Sequence, residues 1–165
     1  MQKADSPLGK WRYLALFLPA LVAVAADQLT KNLWIGAYPY GQVIFDVGFL
    51  RIVHAQNTGG VFGLFQGQSF ALTILALFGV AIFLIVALFW HRRFPVVASL
   101  PSIIAIGLII GGLIGNLIDR IRLGYVIDFI DFRVWPAFNI ADSSGVVGII
   151  IFAYMLLHFA IKEKH

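Results

Sequence analysis

The chain has 165 residues, a length typical of one domain, and a net charge of +4. Its hydrophobic share of 61% exceeds the roughly 45–50% of soluble domains, and its charged share of 12% is about half the usual value. This composition excludes an ordinary soluble domain, the absence of cysteine excludes disulfides and a thiol nucleophile, and the basic residues form no stripe with interleaved aromatics that would indicate a nucleic-acid partner. We predict an all-α integral membrane protein with a small β insert, forming one domain over residues 1–165.

The first predicted span covers residues 12–35, after a short basic head. Its apolar part, residues 13–26, is broken only by Pro19 and is shorter than the about 20 residues that a spanning helix needs. Leu29 and Leu33 prolong the helical pattern, so we predict that the helix continues to residue 35. The alternative is a cleaved signal peptide, because a basic head and a short apolar core precede Ala23-Val24-Ala25, which has the pattern of a cleavage site.

Residues 36–68 differ in composition from the first span. Residues 44–53 are rich in β-branched and aromatic side chains, which is typical of strands. The following Asn57-Thr58-Gly59-Gly60 indicates a turn. We therefore predict a small sheet that is inserted between the first two spans and lies on the membrane surface.

Three more apolar segments, residues 69–90, 96–118 and 143–161, are long enough to span a bilayer. We predict that residues 119–142, between the third and fourth spans, form an outward loop or short helix. Four spans place both termini on one side of the membrane. Lys and Arg concentrate in the head, the 91–95 hairpin and the tail, so these short segments are predicted to be cytoplasmic and the longer loops to face outward.

Polar residues concentrate in residues 111–142, which hold four of the eight acidic residues. Ionisable groups beside hydrocarbon are costly and mark candidate functional sites. If the turn around Pro136 folds the loop back, Asp128 or Asp131 approaches Asp142. Two close carboxylates do not both ionise easily, so one keeps a proton while the other acts as a base, as hydrolysis by an activated water requires.

Each carboxylate also has a structural interpretation. Asp142 precedes the fourth span and is a good helix N-cap. Asp128 and Asp131 are compatible with the solvated face of a short surface helix. Considered singly, these interpretations are favoured, and only the grouping of the polar residues favours a catalytic pair.

Two pairs of polar residues share helical i, i+4 spacing at the same predicted depth. Asp27 and Lys31 form one pair, and Asn116 and Arg120 form the other. We predict that Asp27 and Lys31 position other groups rather than react. Small residues spaced by four also predict close helix packing in the third span, and these are Gly107, Gly111 and Gly115.

Other chemistries have weaker support in the sequence. The chain has neither a G-x-S-x-G nor an H-E-x-x-H motif. A Ser–Lys dyad would pair Lys31 with Ser143 or Ser144. The ligand types of a metal site are present, without recognisable spacing, in Asp128, Asp131, Asp142 and His54.

Five blocks of the sequence, in order, resemble the bacterial lipoprotein signal peptidases (signal peptidase II). These blocks are residues 27–31 (DQLTK), 57–62 (NTGGVF), 111–120 (GGLIGNLIDR), 124–129 (GYVIDF) and 138–143 (FNIADS). Together with four spans of similar spacing they cover almost the whole chain. One departure is Gly60-Val61, where the family commonly has two alanines.

The resemblance implies an intramembrane aspartyl endopeptidase of the bacterial inner membrane, with its site near the periplasmic face. It would remove signal peptides from diacylglyceryl-modified prolipoproteins just before the lipidated cysteine. Asp128 and Asp142 match the family's catalytic pair, whereas Asp131 lies outside the motif. The 36–68 insert would be a β-cradle on the outer leaflet. The residues that match the family's supporting polar positions are Asp27, Lys31, Asn57, Gly59, Asn116, Arg120 and Asn139.

We expect no cofactor and no metal. The expected partners are lipid-modified prolipoproteins and membrane lipids, with apolar walls between helices that receive the diacylglyceryl chains, and we expect a monomer. Two alternatives belong to other classes. A small transporter or channel predicts acidic residues spread across the membrane depth, and a non-enzymatic assembly factor predicts that loss of either aspartate changes only stability.

Overall fold

The structure is a computed structural model that describes residues 7–60, 64–90 and 93–162. Parts of four expectations lie outside these residues: most of the basic head, Val61 and Phe62 in the turn block, His91 and Arg92 of the basic hairpin, and the tail after residue 162.

Four long helices correspond to the four predicted spans, and a one-turn helix precedes the third. Each of the four long helical segments is long and apolar enough to cross a membrane. The helices are α1 (Pro7–Leu29), α2 (Ser69–Phe89), the short α3 (Pro95–Ala98), α4 (Leu100–Leu123) and α5 (Ile140–Lys162).

The ends of these helices differ from the predicted boundaries where polar residues lie. The helix of the first span continues beyond α1 as a π-helical turn, Thr30–Trp34, and a 3₁₀ turn, Ile35–Ala37. Helix α4 runs on past the predicted end at residue 118 and stops at Gly124, whose φ of 81° is the left-handed conformation that commonly ends a helix. The polar residues that were assigned to the start of the outward loop therefore lie on α4.

Helix α4 occupies the centre of the bundle and packs against α1, α2 and α5. Glycines permit these close approaches, as their spacing predicts. A Cβ atom at Gly107 would lie 2.3 Å from the carbonyl oxygen of Leu16 in α1, and one at Gly112 would lie 2.4 Å from that of Ala141 in α5. Helix α4 thus contacts both the end of the first span and the start of the last.

A three-stranded antiparallel sheet covers one end of the bundle, in the order β1 (Val43–Asp46), β2 (Arg51–Asn57) and β3 (Val126–Asp131). The first two strands confirm the sheet predicted in the insert. The third strand lies between α4 and α5, so the interpretation of Asp128 and Asp131 as one face of a surface helix is wrong. In the register of β2 and β3, Asp128 lies opposite Ala55.

Candidate active site

Asp128 and Asp142 belong to one hydrogen-bonded network, although they lie on different elements. Asp128 is on β3, and Asp142 is in the first turn of α5. The amide nitrogen of Asn139 donates to Asp128 Oδ1 at 2.7 Å and to Asn116 Oδ1 at 3.0 Å. The amide nitrogen of Asn116 in turn donates to Asp142 Oδ1 at 2.7 Å. The two asparagines therefore connect the two carboxyl groups.

Asp128 is buried, with 3% of its surface exposed. Burial raises the pKa of Asp128 to about 7, and the negative charge of Asp142 adds to this shift. Hydrogen bonds from Asn57, at 3.0 Å to Oδ2, and from Asn139 act in the opposite direction, because they favour the ionised carboxylate. Asp128 is therefore a carboxyl group that changes its protonation state near neutral pH.

Asp142 takes part in a reciprocal cap at the start of α5. The side-chain oxygen of Asn139 accepts from the backbone N–H of Asp142 at 2.8 Å, and Asp142 Oδ2 accepts from the backbone N–H of Asn139 at 3.3 Å. This is the geometry of a capping box in which Asn139 is the N-cap. The interpretation of Asp142 as the N-cap is wrong, because the helix begins at Ile140, earlier than predicted.

Lys31 is the centre of a buried ionic cluster beneath the two carboxyl groups. Its Nζ lies 2.7 Å from Asp27 Oδ2 and 2.8 Å from Asp119 Oδ2, and it donates to Asn116 Oδ1 at 3.2 Å. The side chains of Asp27 and Lys31 are fully buried, and that of Asp119 is nearly so. Asp27 and Lys31, which share a helix face by their spacing, form an ion pair, whereas the third member, Asp119, lies outside the predicted site residues.

Both acids of this cluster also accept backbone hydrogen bonds next to the two carboxyl groups. Asp119 Oδ2 accepts from the N–H of Ile127 at 3.1 Å, and Asp27 Oδ1 accepts from the N–H of Ala141 at 3.0 Å. Ile127 directly precedes Asp128, and Ala141 directly precedes Asp142. The cluster therefore fixes the backbone on which each carboxyl group is carried.

Gln28 is a second site residue outside the predicted set. Its side-chain amide donates to Asp119 Oδ1 at 2.8 Å and to the carbonyl oxygen of Gly115 at 3.1 Å. One sequence signal for Asp119 was present, since it follows Asn116 by three residues on the same face of α4. Gln28 offered no comparable signal, because its partners become neighbours only when α1 packs against α4.

The turn after β2 orients the side chain of Asn57, the last residue of that strand, and contacts Arg120. The side-chain oxygen of Asn57 accepts from the N–H of Gly59 at 2.9 Å, which leaves the amide nitrogen to donate to Asp128. A Cβ atom at Gly59 would lie 2.5 Å from the carbonyl oxygen of Leu64, so the turn requires glycine there. Arg120 Nη2 donates to the Gly59 carbonyl at 3.2 Å, and its Nε is buried without a hydrogen-bond partner among the described residues.

Asp131 lies apart from this network. Its carboxylate forms an ion pair with Arg51 of β2 and accepts from the backbone N–H of Arg133 at 2.6 Å. These contacts occupy both of its oxygens at the outer end of β3. Of the two acids on this strand, Asp128 is the one that the fold brings to Asp142.

The Ser–Lys and metal alternatives receive no support from the described residues. Ser143 and Ser144 donate to the carbonyl oxygens of Asn139 and Leu108, both at 2.9 Å, while Lys31 contacts acids. His54 Nδ1 lies 2.7 Å from the carbonyl oxygen of Tyr38. Within the part of the chain that the structure describes, no three His, Asp or Glu side chains are grouped as metal ligands.

A cavity of about 760 Å³ opens beside both carboxyl groups. This volume lies within the range of small-molecule sites in proteins. Its polar mouth is formed by Asn57, Asn116, Arg120, Asp128 and Asp142. Its apolar walls come from α2, α4 and α5, and include Leu72, Leu75, Ile109, Leu113, Val146 and Ile149. Residues 135–138 also line the cavity.

Comparison with known proteins identifies the family. A sequence model described as Signal peptidase (SPase) II matches residues 19–158. The chain belongs to the signal peptidase II family. This is a protease family, and the four apolar helices make this member a multi-pass protein of the bacterial inner membrane. The matched residues include all five blocks and every predicted site residue.

Individual relatives of this signal peptidase II match along most of their length. The lipoprotein signal peptidase of Dehalococcoides mccartyi is 42% identical over 139 residues, which cover 84% of this chain and 86% of the relative. That of Halothermothrix orenii is 35% identical over 152 residues, with 90% and 97% covered. A bacterial membrane enzyme solved by the in meso method at 2.3 Å resolution superimposes with a TM-score of 0.75 at 30% identity, covering 86% of each chain.

Proposed function

We propose that this signal peptidase II is an aspartyl endopeptidase that removes signal peptides from diacylglyceryl-modified prolipoproteins, just before the lipidated cysteine. The observation that carries the mechanism is the joining of Asp128 and Asp142 by one asparagine-bridged network at the mouth of an apolar cavity. The substrate class is supported by the relatives, which are named lipoprotein signal peptidases. Cleavage by water needs no cofactor.

In the proposed reaction, Asp128 and Asp142 share one proton. The ionised carboxylate takes a proton from water as the water oxygen bonds to the scissile carbonyl carbon, while the protonated carboxyl donates to the carbonyl oxygen. The tetrahedral intermediate then collapses and the C–N bond breaks: the carboxyl group that took the proton from water gives it to the leaving amine, and the other carboxylate takes back a proton from a hydroxyl of the intermediate. The raised pKa of Asp128, about 7, supports a shared proton at neutral pH.

The surrounding polar residues act as positioning groups in this proposal. Asn57, Asn116 and Asn139 each donate to one of the two carboxyl groups. Asp27 and the rest of the buried ionic cluster hold the adjoining backbone. Arg120 places its positive charge at the cavity mouth. None of these side chains needs to change its covalent bonding during the reaction.

The depth of the polar residues favours a peptidase over a channel. Asp27 lies in the second half of the first span, Asn116 lies near the end of α4, and Asp142 lies near the start of α5. This grouping supports a site at one membrane boundary, where water has access, whereas a pathway needs polar groups across the whole depth. The Lys and Arg distribution supports the periplasmic boundary. The apolar cavity walls would receive the diacylglyceryl chains of the substrate, and a monomer contains every group named here.

Substitution of the carboxyl groups tests the mechanism. Asp128→Asn and Asp142→Asn should each abolish cleavage of a purified diacylglyceryl prolipoprotein, measured as the shortened product, because an amide is not a general base. Loss of general acid–base catalysis typically lowers rates by about 10²–10⁴-fold. The double variant should be little worse than either single variant, because the two residues act as one unit.

Asp131→Asn is the matched control. It lies on the same strand and is engaged by Arg51 instead of the network, so it should retain substantial activity. If Asp131→Asn is inactive and Asp128→Asn is active, Asp131 and not Asp128 is the partner of Asp142, and the assignment of Asp128 is wrong. Retained cleavage in both Asp128→Asn and Asp142→Asn, with a change only in stability, would support an assembly factor.

A further inference from the structure

Gly145 in α5 is a glycine that helix packing does not require. Its neighbour Gly148 is required, because a Cβ atom there would lie 2.6 Å from the carbonyl oxygen of Ala105 in α4. A Cβ atom at Gly145 would meet nothing within 4 Å beyond the adjoining backbone of its own helix. Glycine inside a helix is less favourable than alanine. The space beside Gly145 is therefore not explained by contacts within the described chain.

This open space belongs to the cavity that adjoins the two carboxyl groups. Gly145 lines the cavity and follows Asp142 by three residues, so both lie on one face of α5. Ile149 continues the same lining, about 10 Å further along the helix than Asp142 at 1.5 Å per residue. Gly145 thus lies between the polar mouth and the apolar depth of the cavity.

The deeper walls are suited to a hydrocarbon chain. They consist of side chains such as Leu72, Leu75, Leu113 and Ile149, which offer no hydrogen-bonding group. An extended peptide in this position would leave its backbone N–H and C=O groups unpaired, which is strongly unfavourable in hydrocarbon surroundings. An acyl chain has no such groups.

We propose that Gly145 is a specificity-determining position that keeps the cavity open for an acyl chain of the substrate's diacylglyceryl group. This proposal rests on the proposed function, and it adds the residue that limits which acyl chains fit. A large side chain at position 145 would fill the passage directly beside Asp142. Long acyl chains would then be excluded, while short ones would still allow the scissile bond to reach the carboxyl groups.

The test compares cleavage of two substrates that share one peptide and carry either hexadecanoyl or butanoyl chains. Gly145→Leu should lower kcat/KM for the hexadecanoyl substrate about 10-fold or more, since steric misfit of a few methylene groups has effects of this size. It should change kcat/KM for the butanoyl substrate little. Gly145→Ala should cleave both substrates and melt at the same or a higher temperature, because a Cβ atom fits.

Ile150→Phe is the control for added bulk on the same helix. Ile150 is exposed and does not line the cavity, so this variant should keep the wild-type ratio of the two kcat/KM values. If Gly145→Leu does not fold, judged by melting temperature in detergent, Gly145→Met provides the same comparison with a more flexible side chain.

The outcomes separate this proposal from the proposed function. If a folded Gly145→Leu variant loses kcat/KM equally for both substrates, the space belongs to the peptide and the acyl assignment is wrong. If kcat/KM changes for neither substrate, the acyl assignment is also wrong. Wild-type protein that cleaves neither substrate would instead overturn the proposed function. A third result is that Asp142→Asn abolishes cleavage while Gly145→Leu keeps the wild-type ratio of the two kcat/KM values. That result would leave the proposed function standing and refute only the role of Gly145.

Discussion

At the scale of single residues, the environment of Asp128 penalises a charged carboxylate. Burial and the neighbouring charge of Asp142 raise the pKa of Asp128 to about 7. Because the proposed reaction needs one shared proton, we expect kcat/KM to fall as the pH rises through about 7. Asn57 donates to Asp128 and favours its ionised form, so Asn57→Ala should move this decline to higher pH.

The raised pKa of Asp128 also affects the pH dependence of stability, which can be measured without substrate. The pKa of Asp128 is higher in the folded protein than the value of 3.8 for a free side chain. The folded state therefore binds more protons between these values, and this group makes stability fall as the pH rises from about 4 to 7. Melting temperatures in detergent should show this decline, and Asp128→Asn should reduce it. An unchanged decline in Asp128→Asn would contradict the raised pKa.

Prediction from sequence at the residue scale succeeds where the partners are close along the chain. Asp27 and Lys31 share a helix face, so their spacing alone indicates the ion pair. Asp119 completes the same cluster through side chains that meet only after α1 packs on α4. The role of Asn139 as N-cap was obscured because the fourth span is apolar from residue 143, whereas the helix begins earlier. The grouping of Asp128 and Asp142 in a catalytic pair remains a prediction until variants are assayed.

At the scale of elements, the buried ionic cluster links α1, α4, β3 and the start of α5. Lys31→Met should therefore destabilise the whole bundle, because it leaves Asp27 and Asp119 buried without their counter-charge. Removal of one partner from a buried ion pair typically costs about 3–5 kcal/mol. The free energy of unfolding in denaturant, or the melting temperature in detergent, measures this loss.

Arg122→Met is the comparison for this variant, since it also removes a positive charge. Arg122 is exposed on α4 and donates to Asn32 at 3.3 Å. Such surface substitutions usually change stability by about 0.5 kcal/mol or less. Equal effects of the two variants would mean that the cluster does not hold these elements together.

The elements were predictable to different degrees, for a physical reason. Each long helix must cover the hydrocarbon thickness, and this requirement leaves an apolar run that composition alone reveals. Strand β3 has no such signature. Its first four residues are all buried, so the alternation of buried and exposed side chains that marks a strand is absent. Its conformation depends on pairing with β2, about 75 residues earlier in the chain, and such tertiary contacts override local propensity.

At the scale of the whole molecule, the orientation in the membrane is a prediction from the Lys and Arg distribution. Reporter fusions should place residues 57 and 133 outside the cytoplasm, and Arg92 and both termini inside it. A cytoplasmic signal at residue 57 or 133 would reverse the topology. N-terminal sequencing of the same preparation should find Met1 or Gln2, whereas a start at Ala26 would establish the signal-peptide alternative.

The position of Asp142 in the last helix also has a consequence for biosynthesis. Asp128 precedes α5, and the Ala141 contact with Asp27, which fixes the backbone beside Asp142, forms only when α5 packs beside α1 and α4. A ribosome therefore releases three complete spans before the second carboxyl group of the proposed pair exists. The proposed protease would remain inactive throughout its own translation, and hydrolysis would begin only after the final helix enters the bilayer.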